Sequence, residues 1–346
     1  MARSISTVDI FCGAGGLTYG FEQAGLTVKA GYDIDPACKF PYEHNNKAKF
    51  VLQDVENVRG FDLAKHFSGS SIKVLAGCAP CQPFSSYSRR YNDQQSKWKL
   101  LQDFARLIAE CEPDIISMEN VLLLKHHAVF QEFITQLKNF NYWFESYEVN
   151  CLDYGIPQSR KRLVLLASKL GKINLTPATH NQTNYQTVRQ TIGNLEPLSA
   201  GQGSQRDLLH RCSKLSALNL RRIRASKPGG TWRDWPQDLI AKCHLKRSGQ
   251  TYPAVYGRME WDKPSPTITT QCFGFGNGRF GHPEQDRAIS LREAALLQTF
   301  PPEYEFEEPD KSVAIDLVGR LIGNAVPVKL GQVIAQSILN HIEHFS

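Results

Sequence analysis

What this 346-residue sequence lacks narrows it quickly. No run approaches the ~18 consecutive apolar residues of a membrane span, so a membrane protein is not expected. The start, Met1-Ala2-Arg3-Ser4, passes at once into a strand-like segment and leaves no room for a signal peptide. The nine cysteines are an odd number, scattered from Cys12 to Cys272 without regular spacing. Reduced thiols in a cytoplasmic protein are therefore expected. There is no internal repeat and no low-complexity tract. With 41% apolar residues and a mean hydropathy of −0.36, the chain can bury a full core, which excludes disordered and collagen-like classes. Its length exceeds the ~250–300 residues at which single cores stop growing, so one large domain and one smaller one are expected.

Charge is unevenly placed. Residues 169–265 carry sixteen Lys and Arg against six Asp and Glu, a net +10, while the remainder is net −4. A polyanion docking on that segment would explain the asymmetry. The plainer alternative is a solvated basic face.

The first 168 residues alternate short apolar runs with amphipathic stretches. Strands are expected at Thr7–Phe11, Thr27–Tyr32, Phe50–Leu52, Lys73–Ala76, Asp114–Met118, Phe144–Val149 and Leu163–Ala167. Helical spacing is clearest at Leu17–Ala24, Leu100–Glu110 and Val129–Phe140. This alternation predicts an α/β fold with a doubly wound, mostly parallel sheet. The last two strands, joined through Cys151–Arg162 without a helix, predict an antiparallel hairpin at its edge. After Ser168 the texture becomes rich in Thr, Asn, Gln, Gly and Pro, with Trp232, Trp235 and Trp261 among the basic residues. Helical spacing resumes at Leu291–Thr299 and Val328–His344. The expected division is a core domain of residues 1–168 and 310–346, an irregular basic domain of 169–285, and a joining segment of 286–309.

Asp9 to Leu17 reads as a strand, a turn rich in glycine (Gly13, Gly15, Gly16) and the start of a helix. Glycine lets such a turn approach a ligand closely. Asp33, twenty residues past Gly13, ends the second strand, where a carboxylate can accept from ribose hydroxyls. Asp54 closes the third strand, placed to meet an adenine edge. These features indicate an adenosine-containing ligand. NAD remains an alternative, although a pyrophosphate favours Gly-x-Gly-x-x-Gly and this loop has Gly-x-Gly-Gly.

Gly77-Cys78-Ala79-Pro80-Cys81-Gln82-Pro83 follows the fourth strand. No second Cys-x-x-Cys accompanies Cys78 and Cys81, so a four-ligand zinc site is not indicated and no metal is expected. A thioredoxin-type redox pair does not suit the length or the upstream glycine loop. One nucleophilic thiol, Cys81, at a strand's carboxyl end is the better reading. The fifth strand ends in Met118-Glu119-Asn120-Val121, which places a carboxylate on a neighbouring tip as general acid or hydrogen-bond partner. In Gln158-Ser159-Arg160-Lys161-Arg162, strand alternation would turn Arg160 and Arg162 to one face.

Together these residues resemble the DNA (cytosine-5)-methyltransferase family of the prokaryotic restriction–modification type. The family's Asp-x-Phe-x-Gly-x-Gly-Gly resembles Asp9–Gly16, its Pro-Cys-Gln matches Pro80–Gln82, and its Glu-Asn-Val matches Glu119–Val121. Its Gln-x-Arg-x-Arg matches Gln158–Arg162, and later signatures match Arg292–Pro301 and Gly323–Pro327. The resemblance spans Asp9 to about Lys329, apart from roughly 197–262, the family's variable target-recognition region. Cys12, Ala79 and Leu296 depart from its usual residues, none at a catalytic position.

The resemblance implies a Rossmann-like, S-adenosylmethionine-dependent sheet of seven strands with a smaller, irregular target-recognition domain. It implies methyl transfer from that cofactor to C5 of a cytosine flipped out of a specific duplex DNA sequence. Cys81 would attack C6, Glu119 would share a proton with N3, and Arg160, near O2, would help fix the ring, with Arg162 the fourth catalytic residue. Phe11, Cys12, Gly13 and Gly16 would line the cofactor, and Asp33 and Ile34 would meet its ribose side. Asp54 and Val55 would meet its adenine, while Pro80, Leu100, Asn324 and Val326 close the pocket. A lid over Ser85–Lys97 would bring Gln82, Ser85, Arg89 and Arg90 to the DNA. Arg221, Arg222 and Arg224 of the basic segment are expected to grip phosphate. Expected partners are double-stranded DNA and a restriction endonuclease that is functional rather than physical. A monomer in the cytoplasm, associated with the nucleoid through DNA, is also expected. A tRNA cytosine-5 methyltransferase, an NAD-dependent oxidoreductase and a non-enzymatic DNA-binding protein are the rival readings.

Overall fold

The structure, a computed structural model, describes residues 3–80 and 94–345, and side chains of the second stretch from residue 99. In chain order the strands are β1 (Ile5–Ile10), β2 (Val28–Asp33), β3 (Lys49–Leu52), β4 (Ile72–Gly77), β5 (Ile115–Asn120), β6 (Trp143–Asn150), β7 (Gln158–Ser159), β8 (Lys161–Ser168) and β9 (Ser265–Pro266). The helices are α1 (Gly16–Gln23), α2 (Lys39–Asn45), α3 (Gly60–Phe67), α4 (Gln94–Cys111), α5 (Ala128–Asn139), α6 (Val188–Ile192), α7 (Ala217–Ala225), α8 (Leu291–Leu297), α9 (Ile315–Asn324) and α10 (Val328–His344). Among the described residues, no helix is long and apolar enough to cross a membrane.

The chain forms two compact units. The first holds Met1–Tyr154, Lys161–Thr179 and Val326–Ser346, and the second holds Gly155–Arg160 and His180–Ala325. These borders differ from the division expected from sequence. Residues 169–179 fall in the first unit because Thr176 hydrogen-bonds Ser337 Oγ and the Val333 carbonyl of α10. The segment 310–325 falls in the second, where Gln298 donates to the carbonyls of Ile322 (2.7 Å) and Ala325 (3.2 Å).

The first unit is built on a seven-stranded sheet in the order β3-β2-β1-β4-β5-β8-β6. The five strands from β3 to β5 are parallel, and β8 is antiparallel to both β5 and β6. The expected α/β class and mostly parallel sheet are therefore present, and the last two strands form the expected antiparallel pair. β1 and β5 lie in the interior of the sheet and are buried at nearly every position, polar residues included, as strands covered on both faces are. The chain winds outward from β1 in one direction and from β4 in the other, so the order reverses between them. In open α/β sheets, ligands bind at the strand carboxyl ends beside such a reversal. The tips of β1, β2, β4 and β5 share that edge, and antiparallel β8 begins there.

One close approach secures the glycine loop. α1 packs on α10 so tightly that a Cβ at Gly20 would lie 2.2 Å from the Val328 carbonyl oxygen. Glycine is required by space at this position, not by turn geometry.

The second unit has little regular structure. Its two-stranded sheet pairs β7 with β9 in parallel. One small apolar cluster gathers Ile223, Phe275 and Ala288, and another Trp232, Trp235 and Leu239. Buried arginines supply much of the remaining order. Arg258 donates to four main-chain carbonyls, those of Ile223, Ser226, His282 and Gln285. Arg287 makes two 2.7 Å hydrogen bonds to Glu293, which also closes a capping box with Ser290 at the start of α8. Burial works to raise the Glu293 pKa, but the hydrogen bonds and charge of Arg287 outweigh it and hold it below the usual range.

Candidate active site

The glycine loop is shaped by its own acidic partner. Cys12 N–H donates to the Tyr32 carbonyl (3.1 Å), and Phe11 takes a left-handed φ of 62°. Such a non-glycine conformation costs ~1–3 kcal/mol and persists only where its surroundings enforce it. Gly13 N–H donates to Asp33 Oδ2 and Asp35 N–H to Oδ1, both at 2.9 Å. Burial raises the Asp33 pKa and those two donors pull against it. Further donors on this carboxylate would favour its charged form, which suits a ligand bearing hydroxyls. Among the described residues, no atom beyond its chain neighbours lies within 4 Å of the position a Gly13 Cβ would take. Beside Asp33, Ile34 is 64% exposed, an apolar surface at the mouth of the strand.

The remaining residues assigned to the cofactor differ in setting. Asp54 is half-buried and accepts from Glu56 N–H (3.0 Å), while Val55 is buried in the core. Gly16 starts α1 and is buried. The Cys12 thiol is buried and pushed well up by burial, then by Asp9 and Asp33, so it is an unreactive thiol. Pro80 is exposed and Leu100 half-buried. Asn324 is exposed at the end of α9 in the second unit, and Val326 is buried in the first.

Beneath the loop, Asp9 is fully buried and accepts from the Thr18 hydroxyl (2.8 Å). Burial pushes its pKa up to about 7, against the Thr18 hydrogen bond and with Asp33 adding to the rise.

The second carboxylate is Glu119, 2% exposed at the tip of β5. β4 and β5 run in register with Gly77 beside Met118, so Cys78 and Glu119 leave the sheet side by side. The Cys78 thiol donates to Glu119 Oε2 at 2.8 Å, and Asn120 Nδ2 donates to the Ala79 carbonyl at 3.1 Å. From β8, Arg162 Nε stands 2.9 Å from Glu119 Oε1 in an ion pair. No N–H or O–H among the described residues is aligned to make a hydrogen bond to Oε1.

Arg160 does not share Arg162's face. Its N–H turns back to the Gln158 carbonyl (2.8 Å), which breaks the alternation between β7 and β8. Its guanidinium is buried in the second unit and donates to the carbonyls of Ile268 (3.1 Å) and Ala325 (3.4 Å). Cys81, Gln82, Ser85, Arg89 and Arg90 lie outside the described residues.

The three α7 arginines divide. Arg222 is 9% exposed, donates to the Leu239 carbonyl (2.9 Å), and lies 5.6 Å from the Trp235 ring centroid and 5.2 Å from that of Tyr256. These contacts hold its guanidinium within the second unit's interior rather than at its surface. Arg221 and Arg224 are exposed but paired with Asp238 and Asp286. Free positive charge stands instead on a segment that sequence patterning did not single out. From 239 to 259 there is no Asp or Glu, and Lys242, Lys246 and Arg247 are exposed with no acidic partner among the described residues. The segment is held from below. His244 is buried and stacks on Trp232 (4.4 Å), Trp232 Nε1 donates to the Tyr252 carbonyl (3.0 Å), and Arg233 donates to that of Gln250 (2.7 Å).

Residues 5–340 match the family described as C-5 cytosine-specific DNA methylase. The chain belongs to that family and is a DNA (cytosine-5)-methyltransferase. It is 53% identical to the Type II methylase M.HgiDII of Herpetosiphon aurantiacus over 98% of this chain and 96% of that one. It is 32% identical to the Type II methyltransferase M1.HphI of Haemophilus parahaemolyticus, over 97% and 87% of the two chains. Among solved structures, a putative DNA modification methyltransferase encoded in an Escherichia coli prophage superposes with a TM-score of 0.73 at 20% identity, covering 98% of this chain and all of that one. At that identity the likeness speaks for the fold alone. The oxidoreductase and RNA readings give way to the family.

Arg222→Ala should lower the stability of the second unit by about 1–3 kcal/mol, because the buried Leu239 carbonyl loses its donor. Arg221→Ala should stay within about 0.5 kcal/mol, as an exposed pair does. Thermal melts of the two variants check this, and equal melts would contradict the inward placement of Arg222.

Proposed function

We propose that the chain transfers a methyl group from S-adenosylmethionine to C5 of a cytosine flipped out of a specific duplex DNA sequence, through a covalent Cys81–C6 adduct. The observation that carries the reading is Glu119, a buried carboxylate at a strand tip, with Arg162 beside it and Oε1 lacking an aligned donor. A base in a duplex cannot present C6 to a thiol, so the cytosine leaves the stack at a few kcal/mol.

The Cys81 thiolate forms a bond to C6, and the C5=C6 electrons become available at C5. Glu119 holds a proton towards N3 and offsets the charge that develops on the ring. Arg162 is the better candidate than Arg160 to stabilise that charge, since Arg160's hydrogen bonds to the Ile268 and Ala325 carbonyls commit it to scaffolding. S-adenosylmethionine supplies an electrophilic methyl group for C5. The C5 proton then departs and the Cys81–C6 bond breaks, which restores the thiol. The cofactor fits the open space at Gly13, the Asp33 carboxylate as ribose acceptor, exposed Ile34 as a stacking surface and Asp54 as an adenine partner. Phe11 and Gly16 shape that loop.

We further propose that Lys242, Lys246 and Arg247 carry the phosphate contacts first sought at α7, with Arg221 and Arg224 as exposed auxiliaries. The Type II names of the relatives support a restriction–modification role alongside a separate endonuclease. A monomer suffices for this chemistry.

Duplex DNA carrying 5-fluorocytosine at the target lacks the proton that must leave. The wild type should therefore form an adduct that survives denaturing electrophoresis, while Cys81→Ser should form none yet bind cofactor normally. Methyl transfer by Cys81→Ser at the wild-type rate would defeat the mechanism.

Each phosphate contact contributes about −0.9 to the slope of log K against log salt. Neutralising Lys242, Lys246 and Arg247 together should flatten that slope by up to about three contacts in anisotropy titrations, with cofactor affinity unmoved. A wild-type slope would place the grip elsewhere.

A further inference from the structure

The mechanism leaves one partly buried contact unused, that of Cys78 with Glu119. The backbone fixes where this thiol stands. Gly77, which precedes it, has no room to shift, since a Cβ there would lie 2.8 Å from the Phe104 ring. Cys78 N–H donates to the Ile10 carbonyl (3.3 Å), and parallel pairing carries Cys78 and Glu119 off adjacent strands together. Asn120 ties the next residue, Ala79, to the same tip. The Cys78 thiol therefore meets Glu119 Oε2 at 2.8 Å, while Arg162 faces Oε1.

We propose that Cys78 is a positioning residue for the methyl-transfer reaction, whose thiol holds Oε2 of Glu119 so that Oε1 is the oxygen presented to the cytosine. The proposal rests on the role given to Glu119 above. A carboxyl group otherwise turns about its last bond and offers either oxygen. With Oε2 already accepting the S–H proton, a proton carried by Glu119 belongs on Oε1, the oxygen lacking an aligned donor. The arrangement acts on the reacting geometry and not on the affinity for DNA or cofactor, so its loss falls on kcat.

The test compares Cys78→Ala and Cys78→Val, which lack a donor, with Cys78→Ser, which keeps one. Steady-state methyl transfer, adduct formation on 5-fluorocytosine duplex and thermal melts are read for each. Cys78→Ala and Cys78→Val should lose roughly 5- to 30-fold in kcat and in adduct rate, with KM for DNA and cofactor unchanged. Cys78→Ser should recover to within about 3-fold of wild type, since a hydroxyl replaces the donor. In a Glu119→Gln background the Cys78→Ala loss should vanish, because the two residues act as one unit. A donor-less variant that melts and turns over like wild type overturns the proposal. So does a Cys78→Ser variant as slow as Cys78→Ala, a loss confined to KM, or a loss that persists in Glu119→Gln. Absence of both transfer and adduct in the wild type would instead overturn the role of Glu119, and this proposal with it.

Discussion

A carboxylate taken out of water must be compensated, and Glu119 is taken out almost completely. That requirement organises the catalytic edge of the first unit. Parallel pairing of β4 and β5 brings a thiol to one oxygen, and the reversal of β8 brings a guanidinium to the other. An all-parallel sheet would begin its next strand at the opposite edge, and Arg162 could not reach. The antiparallel strand thus sets the Arg162–Glu119 ion pair as well as the topology. Asp33 meets the same constraint differently, by taking two main-chain N–H groups and so fixing the glycine loop.

The second unit solves another problem, that of stability without long helices or strands. Its arginines bond main-chain carbonyls that regular structure would otherwise satisfy, as at Arg258, or pair within the interior, as at Arg287 with Glu293. Part of the net +10 of residues 169–265 is therefore structural charge. Lys242, Lys246 and Arg247 stand exposed on one acid-free segment with an aromatic base, unlike the paired arginines of α7.

Much of this was legible because short apolar runs alternate with amphipathic helical stretches, and all seven sheet strands could be placed from that alternation. The motifs at Asp9–Gly16 and Glu119–Val121 were legible because strand tips need particular residues there. Other features were not. α9 was passed over although Val318, Leu321 and Ile322 carry helical spacing, since Gly319 and Gly323 weaken the pattern. In each case the glycine makes room for a neighbour, Phe273 at Gly319 and the Thr269 backbone at Gly323. Arg222 looked like its neighbours Arg221 and Arg224, because charge alone does not reveal that Trp235 and Tyr256 enclose it. Cys78 was weighed only as half of a Cys-x-x-Cys pair. Its partner, Glu119, is 41 residues away and became visible only with the pairing of β4 and β5.

The central claim is that the buried Glu119 carboxylate serves the base and not the cofactor. Transfer of a labelled methyl group from S-adenosylmethionine to duplex DNA by Glu119→Gln, measured beside cofactor affinity, tests it most directly. The variant should keep wild-type cofactor affinity and lose at least about a hundredfold in transfer rate, the scale of one acid–base group. Transfer at the wild-type rate, or a loss matched by weaker cofactor binding alone, would contradict the account.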